Sequence, residues 1–233
     1  MNKLALIGKD ISHSRSPEMY RKLISPNIDY SLLDYDDANK IPSAKDLFLN
    51  YDGINITSPY KKHFLDQIKL TKNASAIGAV NCLKKQGADI IGENTDYLAV
   101  VDILKEIKSS HATLEVVILG DGVMSTVAQL ALKNLSIEYK VFSRKLTNNF
   151  DQLNFDLYFS NHPTKPLIIN ACARDFIFHG KLPIRGIFWD FNYNFKQQED
   201  LISPCVEMYM DGLEMLERQA FYAVAFWSNH TAV

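Results

Sequence analysis

Three corners of the sequence carry residues that could do chemistry, each where an apolar run gives way to polar residues. In "GINITSPYKKHF" a strand ends on Asn55 and Thr57, Ser58-Pro59 follow, and the spacing predicts a helix over 59–68 with Lys61 in its first turn. A cation there opposes the helix dipole, so Lys61 reads as a residue serving a ligand, with an ordinary surface lysine as the alternative. In "GENTDY", Asn94 and Asp96 stand before another predicted helix, capped by Thr95 or Asp96. If the fold brings the two charges together, Asp96 would hold the Lys61 ammonium and the pair could move a proton to or from an alcohol. The third corner is "SHSRSP", residues 12–17, after the strand-like Leu4-Ala5-Leu6-Ile7-Gly8. Ser16 before Pro17 reads as an N-cap and first helical position, with Met19, Leu23 and Ile24 in helical spacing. Capping leaves Ser14 unexplained, whereas a loop crowded with hydroxyls suits a polyhydroxylated ligand.

A second kind of site is legible further on. "VVILGDGVMSTVAQLAL" places a strand, a glycine turn and a helix in the order a dinucleotide requires. Gly120 allows the tight turn, Gly122 lets the backbone approach a pyrophosphate at the helix N-terminus, and Ser125 takes the third position, where glycine or alanine is usual. Asp121 beside a pyrophosphate is repulsive unless it points away. The next strand ends in Ser143-Arg144-Lys145, cations that suit a 2′-phosphate, so NADP is favoured over NAD.

These corners need elements to hold them. Strand-like runs near 3–8, 29–35 and 52–57 alternate with a helix near 17–24 and the predicted one at 59–68. A hairpin follows across "GAVNCLKKQGADIIGEN", and a long helix in "TDYLAVVDILKEI". After "KSSHAT" a second series begins, with strands in "LEVVILG", "EYKVFSR", "LIINAC", "GIFWDF" and "VEMYMD". In the last helix Leu213, Leu216, Ala220, Val224 and Trp227 recur on one face. This is α/β patterning in two domains, with a break near 100–113. Net charge is −2 over 233 residues, so no basic footprint points to nucleic acid or a membrane surface. No apolar stretch reaches the ~20 residues of a membrane span. Three isolated cysteines, Cys82, Cys172 and Cys205, predict neither a disulfide framework nor a metal site. With no leader-like opening, a cytoplasmic location is expected.

"SHSRSP", "GINITSPYK", "AIGAVNC", "GENTD", the glycine turn at 120–125, "SRK", "IINAC" and "GLEMLERQAF" follow one another along nearly the whole chain. In that ordered set the sequence resembles the shikimate dehydrogenase family. The resemblance implies an N-terminal α/β substrate domain, residues 1–100 joined by the C-terminal helix 213–233. It also implies a Rossmann-like NADP-binding domain with a parallel sheet, residues 101–212, and a cleft between them. The implied reaction is reversible reduction of 3-dehydroshikimate by NADPH in aromatic amino-acid biosynthesis (the chorismate pathway). Carried over by position, Lys61 and Asp96 are catalytic. Ser14 and Ser16 bind the substrate carboxylate, Thr57, Asn81 and Asp96 the ring hydroxyls, and Tyr193 and Gln219 make further contacts. Gly120, Gly122, Ser125, Ser143, Arg144, Lys145 and Gly212 hold the cofactor, and no metal is implied. A monomer or homodimer is expected. The chain departs from the family in reading GDGVMS for a GAGGA-like turn, in Cys82 and Cys172 where threonines are usual, in Glu214, and in its shorter nucleotide half. A paralogue taking quinate or another hydroxy acid with NAD, and a catalytically weak shikimate-binding protein, are therefore the alternatives.

Overall fold

The computed structural model describes residues 3–160 and 163–228; residues 229–233, at the end of the last expected segment, lie outside them. The chain divides into two compact units, Met1–Ala99 with Glu217–Val233, and Val100–Leu216.

The first unit contains β1 (Lys3–Gly8), α1 (Ser16–Leu23), β2 (Asp29–Asp34), α2 (Ala44–Leu47), β3 (Gly53–Ile56), β4 (Lys69–Leu70), α3 (Lys72–Ile77), β5 (Cys82–Gln86), β6 (Asp89–Glu93) and the start of α4 (Thr95–Ser110). Its sheet runs in the order β2-β1-β3-β5-β6-β4. β1 is central, parallel to both neighbours, and Leu4, Ala5 and Ile7 are fully buried, as expected of a strand covered on both faces. β3 then pairs antiparallel with β5, which sets Asn55 opposite Cys82. β5 and β6 form the expected hairpin, with Gly87 at φ +63° in its turn. Ile7, Ile54, Ile56, Phe64 and Leu83 belong to one buried cluster.

The second unit continues with β7 (Leu114–Leu119), α5 (Val123–Asn134), β8 (Tyr139–Phe142), α6 (Phe155–Tyr158), β9 (Lys165–Asn170), β10 (Ile187–Asp190), α7 (Lys196–Ile202), β11 (Met208–Met210) and the start of α8 (Leu213–Trp227). Its sheet is parallel throughout, in the order β11-β10-β9-β7-β8. The chain steps outward from β7 to β8, then crosses to β9 on the other side, so a topological switch point lies at the carboxyl ends of β7 and β9. The six-stranded version of this order has one more strand beyond β8. Among the described residues none is there: a 3-10 turn at Phe150–Gln152 and α6 occupy the connection instead. That shortens the second unit relative to the six-stranded form. Phe155 stacks on Phe178 at 5.5 Å in the core beneath.

α8 ends in the first unit, where its seat is specific. A Cβ on Gly53 would lie 2.6 Å from the Trp227 ring, and the Trp227 indole donates to the Leu83 carbonyl at 2.8 Å. Lys84 donates to the Phe226 carbonyl and lies 4.3 Å over its ring.

Four local expectations are corrected. Residues 59–68 form successive turns, because the Lys61 carbonyl accepts from Val80 N at 2.8 Å and is lost to a helical ladder. The dipole argument for Lys61 lapses with that helix. Ser16 is the first residue of α1 and makes no capping bond; instead its own N–H donates to Ser14 Oγ at 3.2 Å. α4 is capped by Asn94, whose Oδ1 accepts from Tyr97 N at 3.1 Å. On α8 the buried residues in the first unit are Gln219, Ala220, Ala223 and Trp227, so Gln219 shares the buried face while Val224, expected on it, is only half-buried.

Candidate active site

The polar corners of the first unit converge. Asp34 accepts from Asp10 N and Ile11 N at 2.9 and 3.0 Å, tying the loop after β1 to the end of β2. Gly8 permits the crowding there, since a Cβ would meet Ile11 at 2.4 Å and the Thr57 methyl at 2.5 Å. Ser14 N donates to the Ile11 carbonyl, and Ser14 Oγ donates to Ser16 Oγ at 3.2 Å, so the two hydroxyls sit side by side.

Lys61 and Asp96 meet. Nζ lies 2.7 Å from Oδ2, with each side chain only 10% exposed. The fold brings them together through backbone bonds. Val80 N holds Lys61, while β5 and β6 carry the chain from Asn81 to Asn94, whose cap starts α4 two residues before Asp96. An aspartate in that first turn also gains from the helix dipole.

Around the pair runs a buried network of neutral groups. Asn81 Oδ1 accepts from Thr95 N at 2.7 Å, and Asn81 Nδ2 donates to Thr95 Oγ1 at 3.0 Å and to Gln219 Oε1 at 3.4 Å. Thr95 Oγ1 lies 3.3 Å from the same oxygen. Asn55 Nδ2 donates to the Asn81 carbonyl, and Asn55 Oδ1 accepts from the Tyr30 hydroxyl at 2.9 Å. With the buried Glu93 carboxylate taken up by Asn94 N at 2.7 Å, the ammonium of Lys61, the carboxylate of Asp96 and several amides and hydroxyls form a set of donors and acceptors for a ring bearing hydroxyls, with acid–base capacity at one point. Among the described residues no three His, Cys, Asp or Glu are grouped to hold a metal. Nor, among them, is any helix long and apolar enough to cross a membrane.

In the second unit, Gly120 takes φ +105° at the end of β7, and a Cβ there would press on the Ala171 carbonyl at 3.1 Å. Gly122 precedes α5 with open space where a Cβ would be, and no side chain caps that helix. Ser125 is fully buried and accepts from Gln129 at 3.1 Å, which suits close helix packing. At the end of β8 the buried Ser143 hydroxyl has no partner among the described residues. Arg144 and Lys145 beside it are exposed. Asp121 pairs with Lys145 at 3.1 Å, which neutralises the carboxylate that stood out in the glycine turn. Arg144 acts on Cys172, whose thiol is pushed up to about 12 by burial and then by Asp190. Asp190, itself raised by burial, accepts from Asn192 N at 2.9 Å and Asn170 Nδ2 at 3.2 Å.

Residues 6–83 match the family described as the shikimate dehydrogenase substrate binding domain. A shikimate dehydrogenase (NADP(+)) of Buchnera aphidicola subsp. Cinara cedri (strain Cc) is 33% identical over 252 residues, covering 97% of this chain and 90% of that one. The chain belongs to the shikimate dehydrogenase family. The enzyme of the same name from Vesicomyosocius okutanii subsp. Calyptogena okutanii (strain HA) is 30% identical, covering 98% of this chain and 95% of that one. The solved shikimate 5-dehydrogenase of Thermus thermophilus in complex with shikimate superposes with a TM-score of 0.76 at 22% identity, covering 98% of this chain and 93% of that one. That likeness carries the α/β fold.

With the family in view, the residues expected to touch substrate divide between the units. Ser14, Ser16, Thr57, Lys61, Asn81, Asp96 and Gln219 lie in the first. Tyr193 lies in the second, half-buried beneath the Arg174 guanidinium at 5.9 Å. Gly212 is also in the second, where a Cβ would strike the Phe191 carbonyl at 2.4 Å. Glu214 is an exposed acid in the first turn of α8, an ordinary place for one. Sequence reasoning missed Tyr20 and Tyr30, and gave Asn55 and Thr95 no part in binding. Neither tyrosine stands in a motif; only the pairing of β1 with β2 and β3 brings Tyr30 to Asn55.

Proposed function

We propose that this chain is a shikimate dehydrogenase, catalysing the reversible NADPH-dependent reduction of 3-dehydroshikimate to shikimate in aromatic amino-acid biosynthesis. The buried Lys61–Asp96 pair, set in a network of neutral hydroxyls and amides, is the observation that carries the reading. The cofactor supplies the hydride. Lys61 Nζ faces the ring oxygen that becomes the alkoxide, stabilises its charge and gives it the proton. Asp96 holds the ammonium at that atom and takes a ring hydroxyl with Thr57 and Asn81. Ser14 and Ser16 present two adjacent hydroxyls to the substrate carboxylate, and Gln219 and Tyr193 complete the contacts.

The second unit fits NADP. The positive φ of Gly120, the open face of Gly122 and the uncapped start of α5 suit a pyrophosphate at the switch point. The orphaned Ser143 hydroxyl with Arg144 and Lys145 suits a phosphorylated ribose. A surface pair such as Lys145–Asp121 is weak, about 0–1 kcal/mol, so Lys145 is readily re-aimed at a phosphate. Ser125 packs beneath the turn and Gly212 admits the backbone after β11. The unpaired cysteines support a cytoplasmic protein, which we place there as a monomer or homodimer.

Initial rates with shikimate and quinate, each with NADP and with NAD, test the assignment. Fastest turnover with shikimate and NADP is expected. Preference for quinate or NAD would make the protein a paralogue, and shikimate binding without turnover a binding protein.

A further inference from the structure

The carboxyl ends of β9, β10 and β11 are tied to one buried carboxylate. Asp190, the last residue of β10, is fully buried next to Phe188 and Trp189, where an apolar side chain would continue the core. Its Oδ1 accepts three hydrogen bonds, from Asn192 N and Asn192 Nδ2 at 2.9 Å each and from Asn170 Nδ2 at 3.2 Å. On the β11 side the Tyr209 hydroxyl lies 3.5 Å from Oδ2. The two asparagines carry the constraint outward. Asn170 Oδ1 accepts from Cys172 N at 3.2 Å, and Asn192 Nδ2 also donates to the Cys172 carbonyl at 3.3 Å. The Asn192 carbonyl accepts from Gly212 N at 3.0 Å.

The Ala171–Cys172 and Phe191–Asn192 peptides held in this way are the surfaces that two glycines of the expected cofactor site press against. A Cβ on Gly120 would lie 3.1 Å from the Ala171 oxygen and 3.2 Å from Cys172 N. One on Gly212 would lie 2.4 Å from the Phe191 oxygen and 3.2 Å from the Asn192 carbonyl carbon. Ser143, Arg144 and Lys145 stand apart from this network, at the end of β8 on the other side of β7.

We propose that Asp190 is a positioning residue for the dinucleotide: it fixes these two peptides, and through them the backbone of Gly120 and Gly212 that receives the pyrophosphate and nicotinamide half of NADP. The inference rests on the reading of the second unit as an NADP site. The role is that of an acceptor rather than of a charge. Asparagine at 190 keeps one oxygen for all three hydrogens and can turn its amide to the Tyr209 oxygen, whereas alanine leaves the three donors without their acceptor.

The test is calorimetric binding of NADP and of adenosine 2′,5′-bisphosphate to the parent, D190A, D190N and N192A. The bisphosphate lacks the nicotinamide half and reports the end that Ser143, Arg144 and Lys145 would hold. D190A is expected to raise the NADP Kd about tenfold or more, and N192A, which loses only Nδ2, about three- to tenfold. Both should leave the bisphosphate Kd within about twofold, and D190N should bind each ligand within about threefold of the parent. Equal losses of the two ligands would make the network a scaffold for the whole unit and overturn the proposal. Unchanged NADP binding in D190A and N192A, or a D190N as weak as D190A, would overturn it as well. Should D190A fail to fold, N192A decides, since its side chain is only half-buried and its backbone bond to Asp190 remains. A parent that binds neither ligand would refute the NADP reading itself, and the proposal with it.

Discussion

Replacing Lys61 with methionine keeps the length of the side chain and removes its charge, leaving the Asp96 carboxylate buried without its cation. Removing one member of a buried ion pair costs about 3–5 kcal/mol. The N-terminal turn of α4 returns up to about 1 kcal/mol to an unpaired aspartate, so K61M should lose about 2–5 kcal/mol of stability. The second replacement, D96N, then removes the stranded charge, and K61M/D96N should be within about 1 kcal/mol of the parent. The pair's coupling, the sum of the two single-variant losses less that of the double, should be at least about 1 kcal/mol. Urea unfolding of the four proteins, followed by circular dichroism with slopes compared, measures it. A double variant as unstable as K61M, or a K61M loss under about 0.5 kcal/mol, would mean that water screens the pair despite its burial. The electrostatic basis of the site would then fail.

Three further outcomes follow from other parts of the molecule. Gly53→Ala forces the Trp227 ring to move, since the new Cβ would lie 2.6 Å from it; an overpacking loss of about 1–3 kcal/mol is expected in thermal melts, and no loss would mean the end of α8 is loosely seated. Burial raises the Asp190 carboxyl, so the stability it contributes is present below the ordinary aspartate value of about 3.9 and is lost as pH rises through the raised folded value. The Tm of D190N minus that of the parent should therefore grow between pH 4 and 7, and a constant difference would refute the assignment. Arg144→Ala should weaken NADP about tenfold or more while hardly touching NAD; equal losses of both cofactors in fluorescence titrations would remove Arg144 from the 2′-phosphate site.

Much of this was legible before the structure. Alternating apolar runs and helical patterns gave the α/β class, and the turn chemistry around Gly87 gave the hairpin. Lys61 and Asp96 stood out as charges at strand ends. Their contact did not, because it depends on β5 and β6 spanning the sequence between them. The segment 59–68 looked helical, but a tertiary bond from Val80 claimed the Lys61 carbonyl and left turns. Ser16 and Thr95 both resembled caps by type, but Ser16 is already the first helical residue, with its N–H donated to Ser14, and Asn94 rather than Thr95 caps α4. The placing of Gln219 on the buried face of α8 turned on Gly53 and Leu83, which seat Trp227 more than a hundred residues away in the chain. Tyr20 and Tyr30 carried no local signal at all, since an aromatic in a helix or strand reads as core.

The account turns on Lys61 as the group that handles the proton of the reacting oxygen. The most direct measurement is the rate of NADPH formation from shikimate and NADP by the parent protein beside K61M, at saturating and limiting shikimate. The account predicts turnover by the parent, and for K61M a fall in kcat of about 10²–10³-fold with the shikimate KM little changed, the signature of a charge that acts in the transition state. A K61M enzyme that turns over within about tenfold of the parent, or one that loses only substrate affinity, would contradict it.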